Sequence, residues 1–143
     1  MKKLHLLQKF IFAIALFSGL ILTPVMAHHS TAAFDSDSVV VIQGTVKQVR
    51  WINPHASFKV EGEVDEGMDG LWTIEMTAPN ILMNTGWKRN SLKVGDQVTV
   101  FANPLRNAIT LNDGSQGGLY VGVILADGST LGRTDGEGTG SDR

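Results

Sequence analysis

"LWTIEMTAPNILMNTGWKRNSLKVGDQVTV", residues 71–100, holds the step that decides the fold. Its first seven residues alternate, with Trp72, Ile74 and Met76 on one face, the pattern of a strand buried on one side. The alternation then stops. "APNILMNTGW" opens with Pro79, carries Ile81 and Leu82 and ends at Gly86, which predicts a helix of about two turns. Gly95-Asp96 makes a turn, and a strand follows from Gln97 to Ala102. The segment reads strand, short helix, strand.

Upstream, "SVVVIQGTVKQVRW" is β-branched and predicts a long strand bent at Gly44. Asn53-Pro54 ends it, because proline has no N–H for a central ladder. "HASFKVEGEV" alternates again, with Ala56, Phe58 and Val60 on one face, and completes a hairpin. Downstream, "NAITLND" and "GLYVGVILADGSTL" supply the last strands, with a hairpin turn at Asp127-Gly128. Three strands, a helix and two or three further strands is the order of the OB-fold. The expected fold is therefore all-β with one short helix, a small OB-like five-stranded barrel over residues 28–131. A small barrel or sandwich of other topology is the alternative. OB-folds bind ligands on one face and with the loops after strands one and four. Here those loops hold "WINPH" and "NPLRNAITLNDGSQGG".

The start of the chain has a different character. Lys2, Lys3 and Lys9 precede an apolar run of 13 residues, Phe10 to Leu22, and then Val25-Met26-Ala27. A basic start, a short apolar run and a small-residue end read as a secretory signal peptide over residues 1–27. The expected location is the periplasm, with no stable membrane span once the leader is cut. Cleavage after Ala27 leaves 116 residues, enough for one modest core, with 9 basic and 14 acidic side chains. That balance disfavours nucleic acid, which needs clustered cations. The absence of cysteine excludes disulfides, thiol redox chemistry and cysteine-based zinc sites. Residues 132–143 are rich in glycine, threonine and acids and are expected to be a disordered tail.

"HHS" straight after the leader, then "FD", "GTV", "W-x-NPH", "W-x-x-E", "GW" and "L-x-x-GD-x-V-x-V" follow in order. Together they resemble a family of small exported bacterial proteins classed as a domain of unknown function. The resemblance runs from His28 to about Leu131. It implies export and a small β-barrel, and it carries no activity with it. It draws attention to His28, His29, Trp51, Asn53, His55, Trp72, Glu75 and Trp87. The glycine-rich connection before Leu119 is longer than the family pattern implies.

Cleavage before His28 would create a metal ligand. A histidine at a free N-terminus offers its α-amine and ring Nδ1 to one ion, and a second imidazole completes a flat set of three nitrogens. Tetragonal nitrogen ligation suits Cu(II). His55, just after the Asn53-Pro54 turn, is the natural second imidazole, and His29 could replace either partner. Eleven residues separate His28 from Val39, a reach of up to about 35 Å. Glu75 and Asp35 are candidate oxygen ligands or acceptors that orient an imidazole. Asn53 and Trp51 complete the rim. The expected roles are copper carriage or buffering. The competing expectation is an adaptor binding an envelope protein or small ligand through "WINPH" and "NPLRN", its histidines incidental. No nucleophile elbow, H-E-x-x-H or phosphate loop points to an enzyme.

Overall fold

A computed structural model describes residues 31–64, 69–108 and 110–136. Six strands and one short helix follow one another: β1 (Val40–Arg50), β2 (Ser57–Val64), β3 (Gly70–Glu75), α1 (Pro79–Asn84), β4 (Gln97–Pro104), β5 (Gln116–Ile124) and β6 (Thr130–Gly132). The ladder runs β3-β2-β1-β4-β5-β6. β3 also pairs with β5 in parallel, from Trp72 opposite Gln116 to Glu75 opposite Leu119, and this closes five strands into a barrel. The remaining neighbours are antiparallel. The result is an OB-like all-β barrel with a single short helix, and β6 extends β5 as a hairpin.

Alternation in the sequence becomes inside and outside. Ile42, Val46, Phe58, Val60, Trp72, Ile74, Val100 and Val123 point inward and are fully or almost fully buried. Each such side chain contributes about 1.5–3 kcal/mol by leaving water. β1 serves two neighbours, β4 along Val40–Thr45 and β2 along Ile42–Arg50. It manages both by coiling, with a bulge between Val46 and Gln48. Just before the bulge, Gly44 faces Gly62 across the β1–β2 ladder.

α1 begins with proline at its first turn and lays Leu82 into the core, leaving Ile81 and Met83 outside. The Trp87 amide then returns to the Leu82 carbonyl, which brings the Trp87 ring back over the barrel. That ring is 3% exposed, stands edge-on 5.3 Å from Tyr120 and lies 6.5 Å from Trp51.

The end of the barrel departs from expectation. Among the described residues of "NAITLND" none joins a strand: Arg106–Ala108 make a 3-10 turn with Asn107 left-handed at φ 68°, and Thr110 keeps one bridge, to Gln116. A tight turn explains this. The Gly114 amide bonds the Leu111 carbonyl, so the chain reverses before a ladder can grow. The strand instead starts at Gln116, two residues before the segment that the sequence marks as a strand, and takes in Gly117. Backbone pairing continues to Arg133, whose amide bonds the Val121 carbonyl. Residues 1–30, which hold the expected signal peptide, His28 and His29, and residues 137–143 lie outside the described residues. No helix among the described residues is long and apolar enough to cross a membrane.

Candidate functional site

The β1–β2 turn stands at the barrel rim beside the approach to α1. Ala56 ties the two together, its amide on the Thr77 carbonyl and its carbonyl accepting the Met76 amide. Between them Asn53 and Pro54, joined by a cis peptide, are exposed. Trp51 is half-buried and packs toward Trp87, so it anchors the turn instead of offering a free platform.

His55 Nδ1 lies 3.1 Å from the Met76 carbonyl oxygen and 3.4 Å from Glu75 Oε1. A carbonyl can only accept, so Nδ1 carries the hydrogen, and Nε2 is the nitrogen left to face a ligand. The ring is about half exposed. An imidazole whose one nitrogen donates to a carbonyl or carboxylate is oriented as ligating histidines are. Glu75 is brought to His55, as its outward position on β3 requires.

Asp35 is not. Its carboxylate accepts the Ser38 hydroxyl at 2.7 Å and faces Arg106 Nη1 at 3.3 Å, while its amide bonds the Pro104 carbonyl. The Ser38 hydroxyl above all, helped by the Asp37 amide and Arg106, holds its carboxyl below the ordinary value. Asp35 thus fastens the segment before β1 to the end of β4. Phe34, bridged to Leu105, does the same.

That fastening shortens the tether of His28. Only the six residues from His28 to Ala33 precede the anchor at Phe34, a span of about 20 Å at full extension. From Phe34 the path to His55 crosses Leu105, Gly117 and Thr73 in turn, then follows β3 to Met76. Strand spacing and rise make this roughly 15 Å across and 10 Å along. The 3-10 turn at Thr31–Ala33 uses part of the reach, since it rises only about 2 Å per residue.

A second polar group, absent from the sequence reading, lies on the outer face of β2 and β3. Lys59 pairs with Asp113, and Asp113 also accepts the Ser115 amide and hydroxyl. The Ser115 hydroxyl is 2.8 Å from that of Thr73. Lys59 first, then Ser115, holds the Asp113 carboxyl well below the usual carboxylate range. Only the outward alternation of Lys59 and the Asp113-Gly114 turn signal hint at it in the sequence. Among the described residues, no group of three or more His, Asp or Glu side chains could hold a metal ion.

A sequence profile described as a family of unknown function, DUF6152, matches residues 18–117. No curated protein and no solved structure matches the chain.

Proposed function

The chain belongs to that family of unknown function, and we propose that it is an exported, periplasmic binding module, an adaptor without catalysis of its own that docks an envelope protein at the β1–β2 turn and α1. One observation carries this reading. Of the large apolar side chains left exposed among the described residues, Ile52 (48%), Ile81 (50%) and Met83 (55%) all sit on these two segments. The segments are joined through Ala56. Apolar side chains beside a polar pair such as His55 and Glu75 suit a modest protein interface. The loop after β4 exposes one large apolar side chain among its described residues, Leu111 at 37%, and offers less. A photo-crosslinking residue at position 52 or 81, in cells exporting the protein, should give the same discrete adduct from both sites. At Val94, 68% exposed but on the turn before β4, it should give none. Adducts shared by all three positions, or found at 94 alone, would remove the rim from consideration.

The free Nε2 of His55 supports a second reading, Cu(II) held by the His28 amine and ring with His55, and with His29 as substitute ligand. Its ligands besides His55 lie outside the described residues, and the short tether from Phe34 asks for a nearly extended segment. Protein starting at His28 should bind Cu(II) one-to-one, with nitrogen hyperfine structure in its EPR spectrum. Affinity should rise with pH through about 7.7–8.0, as the α-amine loses its proton. One extra glycine before His28, or His55→Ala, should each weaken binding by about tenfold or more. Equal affinity in all three proteins would rule the brace out.

A further inference from the structure

We infer that the turn Thr110–Ser115 is a latch that keeps the outer β2–β3–β5 face of the barrel covered, that the Lys59–Asp113 pair is its catch, and that it opens without the barrel unfolding. The face in question is the one OB-folds commonly give to ligands. In this chain it is occupied from within. Asp113 reaches across β3 to Lys59 on β2, and Ser115 meets Thr73 on β3. Leu105 and Leu111 lie over Gly117 on β5, where an added Cβ would come within 2.4 Å of Leu105 Cδ1 and 3.7 Å of Leu111 Cδ2.

Ser115, fully buried, is the hinge end of the latch, and the turn before it is held lightly by comparison with the barrel beneath. Leu111 is among the exposed apolar side chains, and Lys59 and Asp113 both reach solvent. Its backbone bonds are local: Leu111 to Ser115, Gly114 to Leu111, and one bridge from Thr110 to Gln116. Exposed ion pairs and local turns open at little cost, whereas the Trp72 and Ile74 layer below must unfold as a unit. Opening would uncover Lys59 and Thr73 together, a cation and a hydroxyl suited to an anionic ligand, while Gly117 stays under Leu105. This inference does not rest on the rim proposed above.

Hydrogen exchange on the full exported chain tests it. Lys59→Met keeps the apolar stem and removes the charge. Asp113→Asn removes the charge and keeps an oxygen for Ser115. Either should speed exchange over residues 110–117 by about threefold, and Lys59→Glu by more, with β1 and β4 unchanged. The chain has no cysteine, so Thr73→Cys gives a single thiol under the latch. Its labelling should quicken by a similar factor when Asp113→Asn is added. Equal exchange in every variant would overturn the inference. So would acceleration shared by β1 and β4, or labelling that Asp113→Asn leaves unchanged.

Discussion

Gly44→Ala should remove a large part of the stability of the barrel. A Cβ built at Gly44 would lie 2.3 Å from the Glu61 carbonyl oxygen and 2.7 Å from the Gly62 Cα. The reciprocal Cβ at Gly62 would lie 2.3 Å from the Gln43 carbonyl oxygen. These are backbone atoms of paired strands, so no rotamer change can relieve the contact. β1 must either separate from β2 or lose the coil that lets it serve β4 as well. Overpacking of a well-packed site costs about 1–3 kcal/mol when side chains can yield. With backbone on both sides, we expect about 3 kcal/mol or more, against about 5–15 kcal/mol for a whole domain. Urea unfolding should show a midpoint lower by about 1 M or more. Gly62→Ala should behave alike, and the exposed Lys47→Ala should scarcely move it. An unchanged midpoint in both glycine variants would mean that β1 and β2 do not approach each other at this point.

That Gly44 is a special place in β1 was legible from a lone glycine in a β-branched run. The irregularity of the strand, however, lies at the bulge between Val46 and Gln48, and Gly44 is bare for its close approach to Gly62. That partner was not legible, since the need for Gly62 arises only from register across two strands. The same division runs through the molecule. The switch from alternation to a short helix and back placed β3, α1 and β4, and with them the OB-like order. The first two residues of β5 were hidden because the run Gly114 to Gly118, with three glycines, looks like a loop. Gly117 and Gly118 are bare for packing reasons: Leu105 fills the space outside Gly117, and Ala102 and Ile74 crowd the inner side of Gly118. Of the candidate site, the pairing of His55 with Glu75 follows from their loop and strand positions. The engagement of Asp35 with Arg106, and of Lys59 with Asp113, depends on how β4, β5 and the turn between them fold back. No short-range pattern in the sequence encodes that.

The closure beneath α1 shows what such long-range contacts hold together, and it yields the second large effect. Trp87 Nε1 donates to the Tyr120 hydroxyl at 3.2 Å, and that hydroxyl donates to the Leu131 carbonyl at 2.6 Å. One oxygen thus joins the segment after α1, β5 and β6. Trp87→Ala should cost about 3–5 kcal/mol, because it opens a cavity between α1 and the barrel that neither Trp51 nor Tyr120 can fill without moving. Tyr120→Phe keeps the ring and leaves the buried Trp87 N–H without its acceptor, for a smaller loss of about 1–3 kcal/mol. Alkaline pH separates the two. Burial pushes the Tyr120 phenol above its ordinary pKa, more than the bond from Trp87 lowers it. Above about pH 10 the unfolded chain therefore sheds a proton that the folded chain keeps. The stability from this group is complete below that pH and declines as pH rises, by at most about 1.4 kcal/mol per unit. Tyr120 is the only tyrosine in the chain, so its titration can be followed alone in the near ultraviolet. In the wild type, tyrosinate should form late and together with unfolding, and the extra alkaline loss should be missing from Tyr120→Phe. Ionisation at an ordinary pKa in the folded protein would show that the hydroxyl is open to water and that the three segments are joined by apolar packing alone.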